Sequence, residues 1–156
     1  KAKPAELVTR VQGYLEEVKD LKRVIEHYKS KEAAGDVERF LFGARTVGRF
    51  KVLTAMVPNA DANRLRQMGD LLRDRAPSAV AVLATVGGGK PTFLAVCGKD
   101  AVAAGLKAGE LVKQVCACCG GSGGGKPDSA MGGGKDVTKV DNALALVDDY
   151  VVSKIQ

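Results

Sequence analysis

Apolar side chains between residues 4 and 34 recur at Leu7, Val11, Tyr14, Val18, Leu21, Ile25 and Tyr28, alternately four and three residues apart. That spacing is the seam of a coiled-coil-type helix, with Glu16, Glu17, Lys19, Asp20, Lys22 and Arg23 between the seam positions. Pro4 suits the helix start and Gly35 predicts its stop. So short a heptad helix is marginal alone, so the seam needs a partner. A second copy, another surface of a parent protein and the chain's own domain all satisfy it. Val37, Phe40 and Leu41 form a short amphipathic lead-in to the globular part.

The pattern then changes to short alternating elements. Residues 49–57 read as a strand closed by a Pro58-Asn59 turn. Leu65, Met68, Leu71 and Leu72 give helical spacing from about Asp61 to Arg75, ended by Pro77. The unbroken apolar run Ala79–Val86 predicts a buried strand, Gly87-Gly88-Gly89-Lys90-Pro91 a hairpin turn, and Thr92–Cys97 the returning strand. Asp100 can cap a helical stretch to about Cys118, broken near Gly105 to Gly109. Asp136 can cap a last helix whose stripe is Val140, Leu144, Val147 and Val151. The order predicts an α/β (α+β) fold, a small sheet layered with helices behind a long helical arm. The arm is assigned residues 1–47 and the globular part 48–156.

Composition narrows the function classes. At 156 residues, with 46% hydrophobic and 27% charged positions, the chain has the make-up of a folded domain. No apolar run is long enough to span a membrane. Lys1 opens the sequence without a Met or a signal-like segment, so a piece of a longer cytoplasmic protein is expected. The net charge of +6 permits a polyanionic partner. Cys116, Cys118 and Cys119 fall together without a second ligand pair at finger-like spacing, and His27 is remote, so no metal is expected. Cys116 and Cys119 continue the apolar stripe of Leu111, Val112 and Val115, which predicts reduced thiols facing a core.

The candidate chemistry lies in residues 120–134, Gly-Gly-Ser-Gly-Gly-Gly-Lys-Pro-Asp-Ser-Ala-Met-Gly-Gly-Gly. Pro127, Asp128, Ala130 and Met131 do not suit a flexible linker. A phosphate-loop pattern fails at Pro127, which stands where a magnesium-binding hydroxyl is needed. No base accompanies Ser129 and no histidine the cysteines, so no catalytic residue and no cofactor is expected. Two uses remain: a loop whose N–H groups meet phosphates, or a segment packed closely under a helix. The first assigns RNA contact to Gly123, Gly124, Gly125, Lys126 and Lys135, helped by Lys90 and Lys99. It also predicts positive φ at Gly124, where a side chain would be costly. Aromatic residues are only 4%, which favours backbone and shape over base stacking.

The glycine segment resembles the signature that closes alanyl-tRNA synthetases, Gly-Gly-x-Gly-Gly-Gly-(Arg/Lys)-Pro-Asp-x-Ala-x-x-Gly-Gly. Lys107–Val112, the Leu65–Arg75 segment and the heptad helix are similar as well. The resemblance implies the C-terminal domain of such an enzyme: a helical arm and a DHH-associated-type globular part, without activation or editing chemistry of its own. It implies contact with the tRNA elbow, coupling of aminoacylation and editing on one tRNA, a possible homodimer and the rest of the parent synthetase as partner. Met131 stands where that family usually has Gln. Lys126 stands where related DHH-type phosphoesterases carry histidine after the glycine triplet. The nucleic-acid-binding lobe of such a phosphoesterase and a purely structural dimerisation domain are the alternatives.

Overall fold

A computed structural model describes residues 3–155. Two compact units divide the chain, Lys1–Ala33 and Ala34–Gln156. Helix α1, Pro4–Phe42, contains the heptad and runs through Gly35. Gly35 is therefore no stop. Val37, beyond it, is fully buried, and Asp36 and Glu38 pair with Arg64 and Arg75 at 3.1 and 2.6 Å. These contacts outweigh the cost of one mid-helix glycine, about 1 kcal/mol relative to alanine. The expected lead-in at Val37, Phe40 and Leu41 is the last turns of the same helix.

Among the described residues six strands form one sheet in the order β1-β2-β3-β4-β6-β5. β1 is Arg45–Val47, β2 Phe50–Met56, β3 Ala79–Gly87, β4 Lys90–Cys97, β5 Ser122–Gly125 and β6 Ser129–Gly133. Among the described residues only β2 and β3 pair in parallel, joined through α2 (Ala62–Arg75) as a βαβ unit. Asp61 caps α2 by accepting from the Arg64 N–H at 2.7 Å. Gly88 and Gly89 turn β3 into β4 with φ of 58° and 73°, the geometry of a tight two-residue hairpin.

Both faces of the sheet are covered. On one side α2 lies so close that a Cβ on Gly69 would come 2.7 Å from Leu94 and 2.8 Å from Val96. On the other side, α4 (Ala108–Cys118) and α5 (Val140–Ile155) close a core that includes Phe50, Val82, Phe93, Leu111, Val115, Val147 and Val151. β3 is apolar at successive positions because neither face meets water. The helix expected to be capped by Asp100 is two helices. α3, Lys99–Ala103, starts from Gly98, and Asp100 lies inside its first turn; α4 follows after Gly105, whose φ is 95°. Asp136 accepts from the Thr138 N–H and starts the single 3₁₀ turn, Val137–Lys139, that leads into α5.

The glycine segment differs most from the sequence reading. It is a β-hairpin, and β6 extends the sheet by pairing with β4, Met131 opposite Leu94 and Ala130 opposite Ala95. Gly123, Gly124, Gly125, Gly132 and Gly133 have ladder partners where a loop was expected. Among the described residues no helix is long and apolar enough to cross a membrane.

Candidate nucleic-acid interface

The hairpin tip, Pro127-Asp128, is tied down from three directions. Arg73 Nη1 of α2 lies 2.5 Å from Asp128 Oδ2. The Cys97 N–H, at the end of β4, donates to Asp128 O at 3.0 Å. The Ala108 N–H, at the start of α4, donates to Pro127 O at 2.7 Å. Asp70 holds the other side of the Arg73 guanidinium. A linker makes no such set of contacts, so the segment is a built element.

Its glycines do two jobs. A Cβ on Gly132 would fall 2.5 Å from Gly123 Cα and 2.6 Å from Cys116 Sγ, and one on Gly123 would meet Cys116 Sγ at 3.2 Å. These two residues let α4 lie on the hairpin. Gly124 is different: its φ is not positive, and an added Cβ meets only Lys113 Cε at 3.9 Å. The expected left-handed strain at Gly124 is absent, because an edge strand holds it extended.

β5 is the last strand of the sheet, with its outer side unpaired. The Lys126 N–H donates to Ser129 O at 3.0 Å, which sets the hydrogen-bonded pairs of the ladder. Antiparallel alternation then turns the main-chain groups of Gly123 and Gly125 away from β6, toward the outer edge. Gly124 and Gly125 are exposed. On the α2 side of this edge is an open cleft of about 400 Å³, bordered by Arg66, Arg73, Gly124, Lys126, Asp128 and Met131. On the α4 side is a second, of about 260 Å³, bordered by Lys107, Gly109, Glu110, Lys113 and Gly125.

Charge is distributed unevenly around the hairpin. Arg73 is neutralised by Asp70 and Asp128. Arg66, Lys113 and Lys126 are exposed, and none of them has an ion pair among the described residues; Arg66 Nε rests 3.2 Å from Met131 Sδ. The arrangement is an unpaired main-chain edge with a cation on each side and one at the tip. It offers N–H donors and point charges to phosphates. Among the described residues no three His, Cys, Asp or Glu side chains are placed to hold a metal ion.

The residues predicted from sequence do not converge on one place. Gly123, Gly124, Gly125 and Lys126 lie along the edge and tip. Lys99 lies at the same end of the sheet, two residues beyond Cys97. Lys90 and Lys135 lie at the opposite end, where the Gly134 N–H bonds Pro91 O and the Lys135 N–H bonds Cys119 O. The length of β4 puts the two groups roughly 20 Å apart. Arg66 and Lys113 were missed, since only the packing of α2 and α4 on either side of β5–β6 brings them there. The cysteines are free; Cys97, Cys116 and Cys119 are buried. Burial pushes the Cys97 thiol up to about 12, with the Asp128 charge adding to it, and Cys116 to about 11.

Comparison with known proteins agrees with this architecture. Residues 49–153 match the DHHA1 domain, so the chain belongs to the DHHA1 domain family. It is 42% identical over 153 residues to alanine–tRNA ligases of Bacillus anthracis and Geobacillus thermodenitrificans. The match takes in 98% of this chain and spans 17% of the length of those relatives. Among solved structures, the C-Ala domain from Aquifex aeolicus alanyl-tRNA synthetase is similar at 29% identity and a TM-score of 0.64, over 69% of this chain and 96% of that one. A pGpG-specific phosphodiesterase of Vibrio cholerae, 10% identical with a TM-score of 0.50, covers 86% of this chain and 43% of its own, and shows the fold alone.

Proposed function

We propose that this DHHA1-family chain is the tRNA-binding domain of an alanine–tRNA ligase, acting in the cytoplasm without chemistry or cofactor of its own. The observation that carries the reading is the glycine edge at Gly123–Gly125 with the unpaired cations Arg66, Lys113 and Lys126 around it. Similarity to alanine–tRNA ligases over 98% of the chain supports tRNA as the polyanion. An edge of this kind reads phosphate and shape, which suits the folded elbow of tRNA better than a base sequence. A domain gripping the elbow would keep one tRNA on the parent synthetase while its acceptor end moves between aminoacylation and editing.

The phosphoesterase alternative is weaker. Lys126 follows the glycine triplet here, where the resemblance gives those enzymes a histidine. A specific observation favours a second, compatible role in self-association: the seam residues of the arm are between 45% and 66% exposed.

Equilibrium binding of intact tRNA, an acceptor-stem duplex and a tRNA with its D- and T-loop contacts disrupted tests the main reading. Intact tRNA is expected to bind at least tenfold more tightly than either other RNA. Equal binding of all three would remove the elbow, and no binding of any would remove RNA.

A further inference from the structure

We infer that Met131 is a positioning residue, whose thioether holds the Arg66 side chain beside the glycine edge without cancelling its charge, ready for an RNA phosphate. This rests on the RNA reading above and gives a cause for the placement of one of its cations. Arg66 and Arg73 stand two turns apart on α2, and the hairpin holds them differently. Arg73 is held by the carboxylates of Asp70 and Asp128, which neutralise it within the fold. Arg66 is exposed and donates its Nε–H to Met131 Sδ at 3.2 Å. A thioether sulfur is a neutral, weak acceptor, so the guanidinium keeps its full charge. Among the described residues the Arg66 Nη groups have no hydrogen bond or ion pair. They form the planar fork that suits two oxygens of one phosphate.

The fold brings the pair together from two directions. Gly69, one turn beyond Arg66, lets α2 lie against Leu94 of β4. Leu94 is the ladder partner of Met131, so the same close approach carries Arg66 within reach of β6. On its other side Met131 pairs with Gly124, which has no side chain to cover the sulfur. Arg66, Gly124 and Met131 border one open cleft. An arginine free to swing must be ordered when it takes a phosphate, and that ordering lowers affinity by roughly two- to tenfold. A bond at Nε does part of the ordering in advance and leaves the Nη fork open. The glutamine that the resemblance gives at this position has a neutral amide oxygen that would hold Nε in the same way.

The full chain is compared with Met131→Leu, Met131→Gln and Arg66→Ala in equilibrium binding of an intact tRNA transcript across a range of salt. Circular dichroism confirms that each is folded. Leucine fills nearly the same space and offers Nε no acceptor; Met131→Ala is a second variant without an acceptor. Arg66→Ala should weaken binding and flatten the salt slope by about 0.7–0.9 units, one phosphate contact. Met131→Leu and Met131→Ala should weaken binding about three- to fivefold with the wild-type slope, because the phosphate contact still forms. Met131→Gln should bind as wild type does. Met131→Leu added to Arg66→Ala should bring no further loss, since the two residues act as one unit. Wild-type affinity in both acceptor-free variants would overturn the positioning role and leave the RNA reading standing. So would an equal loss from Met131→Leu with and without Arg66, or a Met131→Gln chain as weak as Met131→Leu. An Arg66→Ala chain with wild-type affinity and slope would overturn the inference together with the part of Arg66 in the RNA reading.

Discussion

Arg73 of α2 and Asp128 at the tip of the β5–β6 hairpin lie 55 positions apart in sequence and 2.5 Å apart in space. The pair joins the helix on one side of the sheet to the glycine hairpin at its edge. It leaves Arg73 as scaffold and Arg66, two turns earlier on α2, as the open charge.

Asp128→Asn should loosen the tip. The pair is half-exposed, at 26% and 47%, so solvent screening limits its direct contribution to about 1 kcal/mol. Chemical denaturation should show a loss of that size with an unchanged slope. Amide exchange at Lys126, whose N–H donates to Ser129 O, should accelerate more than in the core strands. Unchanged protection at Lys126 would show that the Cys97 and Ala108 bonds hold the tip alone.

Two glycine substitutions should separate. Gly132→Ala forces a methyl group against Gly123 and Cys116, an overpacked contact costing roughly 1–3 kcal/mol. Gly124→Ala has open space and no positive φ, so the melting temperature should stay within about 1 °C of wild type. Equal losses in the two variants would mean that α4 does not lie on the hairpin as described.

Glu110 anchors α4 to α5. Its carboxylate accepts from Lys154 Nζ at 3.2 Å and from the Tyr150 hydroxyl at 3.1 Å, and these hold it below the usual carboxylate range, the Lys154 bond foremost. A carboxyl whose folded value lies below its unfolded value stabilises the fold above the unfolded value, near 4.5, and loses that contribution as pH falls through the folded one. The gap in melting temperature between wild type and Glu110→Gln should be present at pH 7 and shrink as the pH falls below 4.5. A constant gap from pH 7 to pH 3 would contradict the assignment.

Local patterns made much of the fold legible. The heptad from Leu7 to Tyr28, the Ala79–Val86 run and the Gly88-Gly89 turn each carry their geometry in neighbouring residues. The glycine segment does not, because glycine has no side chain to alternate and a low strand preference. Only pairing with β4, across more than 30 residues of sequence, makes Ser129–Gly133 a strand. The continuation of α1 through Gly35 was hidden for the same kind of reason, since Asp36 and Glu38 find their partners on α2. Lys126 was legible beside the glycines. Arg66 and Lys113 were not, since each reaches the hairpin by the packing of its helix.

The salt dependence of tRNA binding tests the central claim most directly. Wild type is compared with a variant carrying Arg66→Ala, Lys113→Ala and Lys126→Ala, with circular dichroism confirming that both are folded. Each lost phosphate contact should flatten the plot of log affinity against log salt by about 0.7–0.9 units, so the variant should bind all tRNAs more weakly with a slope lower by roughly 2. A Lys90→Ala, Lys135→Ala variant, altered at the far end of the sheet, should keep most of the wild-type slope. A folded triple variant with wild-type affinity and slope would contradict the account and leave the glycine edge as packing for α4 alone.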